Sequence, residues 1–431
     1  MKLLQTNLVR NISTLAASTL ITQAALFAVM PLLTRIYSPT AFGMFATFSA
    51  LHAITLIFFS LKYDVAIIVP REDGDARNAL ALSILIPGCL SALLTLGLST
   101  YLLWTNSVSW HLLLLPVSIT SASIYSAFQQ WGARHRDYRH YSISLFVNSA
   151  FNIAISVTLG VLLADHDEGL VLGFTAGLVA SAAYMFWIHR TIAGEHRRTA
   201  DKSALSALAE TAAKYRHMPM QVLPFTILIV IMQSAAPLVL NANYPLAEIG
   251  LYAVANRALL APSSIIGAVI GEPFRAEMAA KVRNGDELTT IMHRLLLFLF
   301  TISSVAFAVI FAIAPPLFGW LFGSEFARSG EIARALCLGA VAQFIVLPIT
   351  QVFVITGQMK QGLIAQALVA LVPTVAIYIA SHGYSIEEAL MAWSIAMCAS
   401  SLVLVALAYR STMIATRHLS GTDRLKDVNP D

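Results

Sequence analysis

Arg257 stands in the apolar run YAVANRALLAPSS, too far from either end of that run for its head group to snorkel to water. A charged side chain inside a membrane span costs at least about 2.5–3.5 kcal/mol, so its presence calls for a use. The chemistry a guanidinium suits in such a place is electrostatic: facing a water-filled cavity, it meets an anionic substrate. The structural alternative is an arginine capped by carbonyls and a neighbouring carboxylate.

Other ionisable groups fall nearer the ends of apolar runs. Arg35 follows PLLT at the outer end of the first run, and an interfacial anchor is its plain reading. Lys62 and Asp64 lie in FFSLKYDVAIIVP at the inner end of the second. On a helix their i, i+2 spacing makes them diverge, one toward a central cavity and the other toward a neighbour. Glu272 and Arg275 follow GAVIG, with Pro273 breaking the helix, and either form an inner gate or mark the water boundary. Arg10 and Arg216 precede the first span of each half of the chain. They are inner-rim cations placed twice by duplication, or ordinary basic residues of the cytoplasmic side. His52 sits within the second run, where a hydrogen-bonded packing role competes with proton transfer.

These residues must be held by membrane helices. The chain is 58% hydrophobic and only 12% charged, with mean hydropathy +0.73, whereas soluble domains carry roughly 25% charge. Apolar stretches of membrane-spanning length recur at 12–34, 42–62, 79–104, 109–131, 142–164, 168–189, 219–241, 248–271, 291–313, 332–356, 361–381 and 387–409. The first is too long for a signal-peptide core and reads as an uncleaved helix. Cys89, Cys337 and Cys398 all fall in these spans, so neither a disulfide framework nor a metal site is expected.

Basic residues fix the orientation. Loops after even-numbered spans hold Arg71, Arg77, Arg134, Arg136, Arg139, Arg190, Arg197, Arg198, Lys202, Lys214, Arg216, Arg275, Lys281, Arg283 and Lys360. The opposite loops hold only Arg35, Arg328 and Arg334, beside Asp165, Asp167, Glu168, Glu248, Glu387 and Glu388. Both termini are therefore expected in the cytoplasm.

The chain also repeats itself. PLLTRIYSPTAFGMFATFSAL from Pro31 echoes PLVLNANYPLAEIGLYAVANRAL from Pro237, with Tyr37 to Gly43 spaced like Tyr244 to Gly250. An offset near half the chain is what a duplicated bundle produces. Six spans per half make the repeat parallel, about an axis along the membrane normal. The expected fold is an all-α polytopic membrane protein of twelve transmembrane helices in two six-helix lobes related by a parallel pseudo-two-fold repeat. Its parts are an N-terminal lobe over 1–190, a cytoplasmic connector over 191–218, a C-terminal lobe over 219–410 and a disordered cytoplasmic tail over 411–431. Within the connector, Leu205, Leu208 and Ala212 share one helical face, the pattern of a short interfacial helix. Gly173-x-x-x-Gly177 and Gly267-x-x-x-Gly271 permit close helix contact.

No Walker loop, HExxH, GxSxG or Cys/His cluster occurs. ATP hydrolysis by this chain, a metal, a cofactor and enzymatic activity are accordingly not expected. The small, asymmetric positive charge reports membrane orientation, not nucleic-acid binding. No loop is long enough to fold as a separate domain, so any activity sits in the helices or at their rim.

The segment PLLTRIYSPTAFGMFATFSAL followed by SLKYDVAIIVPREDGDARNALALS resembles the start of bacterial O-antigen and capsule flippases, the Wzx or polysaccharide-transporter family. AKYRHMPMQVLP and GLYAVANRALLAPSSIIGAVIGEPFRAEMA resemble that family's entry into spans seven and eight. The resemblance implies the multidrug/oligosaccharidyl-lipid/polysaccharide exporter fold. It also implies movement of an undecaprenyl-diphosphate-linked oligosaccharide from inner to outer leaflet of a bacterial plasma membrane, by alternating access. Membrane lipids, and a polymerase and chain-length regulator of the same pathway, are the implied partners. Arg257 lies in the span where related lipid-linked precursor flippases carry a cavity cation, while Arg35 and Lys62 are the only counterparts in spans one and two. Two other readings remain: a multidrug/cation antiporter of the same superfold, which calls for acidic residues in the lobe cores, and a polytopic O-antigen polymerase or ligase, which calls for a large outer loop.

Overall fold

The computed structural model describes residues 2–105, 109–162, 167–190, 202–260 and 288–426. Every regular element among them is helical. In chain order these are α1 (Lys2–Ile36), α2 (Pro39–Ser60), α3 (Asp73–Thr105), α4 (Leu114–Arg134), α5 (Tyr138–Leu162), α6 (Gly169–Ile188), α7 (Lys202–Tyr215) and α8 (His217–Asn241). They are followed by α9 (246–260), α10 (Thr289–Phe322), α11 (Ser329–Ile355), α12 (Met359–Ala380) and α13 (Ile386–Lys426). Eleven helices among the described residues are long and apolar enough to cross a membrane. They coincide with eleven of the twelve expected spans. The twelfth, expected over 248–271, is described only as far as residue 260, where it is helical.

The chain divides into two compact units, Met1–Val230 and Ile231–Asp431. The first is built around two apolar clusters. Phe48, Leu115, Ile119 and Val171 join α2, α4 and α6, with Phe45 and Phe174 packed against them. Ala66, Ile67, Ala76, Ala79, Leu80, Phe128, Trp131 and Met185 form the other. Helices α5 and α6 pack tightly against each other, and glycine allows it. A methyl group at Gly177 would come within 2.5 Å of the Asn148 carbonyl, and one at Gly173 would meet Ser156 and Asn152. Gly173-x-x-x-Gly177 thus acts as a small-residue contact face.

The duplicated segments fold alike. In the first unit Tyr37 follows α1 and donates its hydroxyl to the Ser156 carbonyl of α5 at 2.7 Å. Its ring fills a slot lined by Gly160 and Gly169, where any Cβ would collide with it. Ser38 caps α2 by accepting from Ala41 N and donates to Asp167 at 3.0 Å. In the second unit Tyr244 follows α8 and donates to the Tyr384 carbonyl at 2.8 Å, while Asn243 donates to Ser381 at 2.9 Å. In each unit, therefore, a tyrosine at the first corner is tied to the region of the fifth helix or the turn after it.

Proline bends are repaired locally. Pro315 and Pro316 interrupt α10 and deprive the carbonyls of Phe311 and Ala312 of their i+4 donors. Arg334 of α11 donates to both, at 2.8 and 3.3 Å, and lies over the Phe311 ring.

α13 continues as helix to Lys426, and no proline lies between Ser411 and Lys426. The connector does carry a helix, α7, but that helix is docked on protein rather than resting alone at the interface. Tyr215 and Thr211 are buried, and Tyr215 joins the cluster around Ile67 and Trp131.

Candidate functional site

Arg257 occupies α9 eleven residues beyond its start, about 16 Å along the axis at 1.5 Å per residue. That depth is near the middle of a hydrocarbon core of about 30 Å. Around it, Ile249, Leu251, Tyr252, Val254, Ala255 and Leu259 are buried. Arg257 is the one exposed residue in 246–260.

Lys62 and Asp64 behave differently from the helical expectation. The α2 helix ends at Ser60, and both Leu61 (φ 44°) and Lys62 (φ 57°) adopt left-handed backbone. Residues Tyr63–Ile67 then form a 3-10 turn. The reversal brings the two side chains together as an ion pair at 3.6 Å, not apart. Asp64 is buried and accepts further hydrogen bonds from Ser126 Oγ at 2.8 Å and its neighbour Val65 N at 3.1 Å. Two consecutive left-handed residues without glycine are strained backbone, kept only where the surroundings over-determine them.

The remaining expected residues are dispersed. Arg35 is exposed in the last turn of α1. Arg216 is exposed in the single-residue break between α7 and α8. Arg10 lies in α1 with its side chain outside the described residues, and Glu272 and Arg275 lie outside them altogether. Of these residues, Lys62 and Asp64 are joined by a direct contact. His52 is buried with Nδ1 2.8 Å from Ser118 Oγ, and the ring meets Phe174 edge-on at 5.2 Å. Because Ser118 donates its hydroxyl hydrogen to the Leu115 carbonyl, it accepts a hydrogen bond from His52 Nδ1–H, which is a packing arrangement.

Three basic residues that read in the sequence only as loop charges have built environments. Arg134 donates to the carbonyls of Ile67, Ile68 and Pro70 and pairs with Asp73 at 2.8 Å, clamping the turn that carries Asp64. Lys214 of α7 pairs with Asp75 at 2.6 Å, and Tyr215 donates to the same carboxylate at 3.1 Å. Hydrogen bonding to Asp75 holds the Lys214 ammonium above the usual lysine range. Tyr63 reaches the Ala212 carbonyl at 3.2 Å, and Asn78 donates to Thr211 at 3.1 Å, completing the docking of α7. In the second unit Arg328 joins Glu248 and Glu387. The partners lie 59 to 149 residues away along the chain, beyond the reach of local spacing. No group of three or more metal-ligating side chains occurs among the described residues.

Eleven apolar spans, a corner motif used once in each of two units, and a charge exposed at mid-membrane depth define a multi-pass membrane protein of duplicated helical lobes. The chain belongs to the family described as polysaccharide biosynthesis protein, which matches residues 8–272. Among solved structures, the lipid II flippase MurJ in an inward closed conformation has a TM-score of 0.66 at 15% identity, covering 97% of this chain and 93% of its own. An inward-facing multidrug resistance MATE family transporter of the MOP superfamily gives 0.65 at 15% identity, over 94% of this chain and 96% of that one. The Vibrio cholerae MATE transporter VcmN in its bent form gives 0.53 at 13% identity, over 96% and 98%. At such identities these likenesses concern the fold. No curated protein matches the chain.

Proposed function

We propose that this protein is a flippase that carries an undecaprenyl-diphosphate-linked oligosaccharide, an O-antigen or capsule repeat unit, from the inner to the outer leaflet of a bacterial plasma membrane by alternating access. The observation that carries the reading is Arg257, exposed at mid-membrane depth on a helix whose other described residues are buried or half-buried. A guanidinium there faces water rather than lipid, because lipid exposure at that depth is the costliest placement for charge. Membership of a polysaccharide biosynthesis family supports a glycan-bearing cargo.

A sugar-diphosphate headgroup does not cross hydrocarbon unaided, since its hydroxyls and charges lose water without replacement. A polar, positive path removes that barrier while the polyprenyl tail stays in lipid. Moving negative charge outward is aided by an inside-negative potential, by about 2.3 kcal/mol per charge per 100 mV. In this reading Arg257 engages the diphosphate. Arg10, Arg35, Lys62, Asp64 and Arg216 are the further binding residues, with Glu272 and Arg275 as an inner gate. Residues 1–190 and 219–410 are the two lobes, both termini face the cytoplasm, and a polymerase and chain-length regulator act downstream. The antiporter alternative loses support from Asp64, whose buried carboxylate is already matched by Lys62.

The test is where the lipid-linked oligosaccharide resides. Deleting the gene should strand it on the inner leaflet, and a plasmid copy should restore outer-leaflet delivery. Arg257→Ala should fail to restore it while inserting normally, and Arg257→Lys should recover part. Delivery of unpolymerised units to the outer leaflet in the deletion strain would point to a polymerase or ligase instead. Lost drug resistance with normal glycans would point to the antiporter.

A further inference from the structure

Arg328, at the start of α11, joins two other helices of the second unit. It pairs with Glu248 in the first turn of α9 and, at 2.8 Å, with Glu387 in the first turn of α13. A first-turn carboxylate suits any helix N-terminus, but Arg328 ties this one to its neighbours. Asn243 and Tyr244, just before α9, are bonded to Ser381 and to the Tyr384 carbonyl, between α12 and α13. The end of α9 that bears Glu248 is thus fastened at three points. Glu248 and Arg257 lie on one continuous helix, about 14 Å apart along its axis at 1.5 Å per residue, with no proline between them.

Aligning Tyr37 with Tyr244 sets Ala41 of α2 against Glu248, and Ala50 against Arg257. The second copy therefore differs from the first at both places, with a carboxylate at the helix end and a guanidinium at mid-span. In the first copy Ser38 caps α2 and Ala41 is fully buried. The two differences belong together physically. A charge at mid-span is less costly near the head groups, so a helix that carries one is drawn to slide or tilt along its axis. A slide of one turn, about 5.4 Å, takes Glu248 out of reach of Arg328, so the ion pair opposes it. The α2 helix, which holds no Asp, Glu, Lys or Arg, has no such drive to oppose. We propose that Glu248, held by Arg328, is a positioning residue that pins α9 along its axis and so fixes the depth of Arg257. That this depth matters to the cargo rests on the flippase reading.

Two measurements test it. Glu248→Ala gives α9 the residue found at the matching place of α2, and leaves Arg328 paired with Glu387, so that no charge is stranded. In a protein whose Cys89, Cys337 and Cys398 are replaced by serine, Ala253→Cys reports the position of α9 about a turn and a half beyond Glu248. Glu248→Ala should raise several-fold the rate at which a membrane-impermeant maleimide, added on the Glu248 side, labels Ala253→Cys. Adding Arg257→Leu should bring the rate back, because the drive to slide is gone. No rise with Glu248→Ala overturns the proposal. An equal rise with and without Arg257→Leu marks local unfolding and overturns it as well. In proteoliposomes, Glu248→Ala should slow transport of the lipid-linked oligosaccharide roughly tenfold, the weakening of one charge-assisted hydrogen bond to the diphosphate. Glu248→Asp should recover part. Unchanged transport beside a raised labelling rate overturns the positioning role. If the unsubstituted protein moves no lipid-linked oligosaccharide, the flippase reading itself has failed, and labelling still decides whether α9 is pinned.

Discussion

The arginines of this protein divide by what surrounds them. Arg334 answers two carbonyls that Pro315 and Pro316 leave without donors. Replacing it by leucine should lower thermal stability in detergent by roughly 1–3 kcal/mol, because both carbonyls lose their donor. Arg334→Lys should recover only part, since one ammonium does not reproduce the planar fork. Arg257→Ala should do the reverse: a melting temperature close to that of the unsubstituted protein, with transport abolished. A large drop in melting temperature for Arg257→Ala would mark it as structural. Lys62 and Asp64 make a third case. Removing either partner alone strands the other, so the double substitution should destabilise less than the sum of Lys62→Met and Asp64→Asn. A thermal-denaturation cycle on the four proteins measures that coupling directly.

At the scale of elements, hydropathy made the spans legible, because a helix in lipid must be apolar over a fixed length. The ends of those helices were less legible. Nothing in Leu61-Lys62 resembles a turn signal: neither residue is glycine, proline or asparagine, yet both are left-handed. The break is imposed by contacts from distant elements, including Ser126 on Asp64 and Arg134 on the carbonyls of Ile67 and Pro70. The docking of α7 was hidden for the same reason, since its amphipathic face reads equally well as lipid-bound or protein-bound. Asp75→Ala should loosen that docking, and limited trypsin digestion should then cut faster at Lys214 and Arg216. Unchanged cleavage would mean the apolar burial of Tyr215 holds α7 by itself. For the tyrosine corner, Gly169→Ala should destabilise the first unit by about 1–3 kcal/mol, its methyl running into the Tyr37 hydroxyl. The penalty should shrink in a Tyr37→Phe background, where the colliding atom is gone.

On the scale of the whole molecule, the duplication was visible as an echo between two segments and is realised as the same corner in each unit. The asymmetry matters as much: Arg257 stands in the second copy, and the corresponding stretch of the first is the uncharged neighbourhood of Ala50. Orientation follows from charge. Fluorescent-protein fusions at either terminus should glow, and alkaline phosphatase fusions there should be inactive; an active phosphatase would place that terminus outside. The tyrosine corners carry one more consequence, which concerns time. Tyr37 finds its acceptor 119 residues later in the chain, and Tyr244 finds its own 140 residues later. At about 5–20 residues per second, a ribosome takes about 6–24 s and 7–28 s to supply them. During each wait the corner is already in the bilayer with its hydroxyl uncommitted. Each half of the protein is thus sealed late, by a clasp that closes only when its fifth and sixth helices arrive.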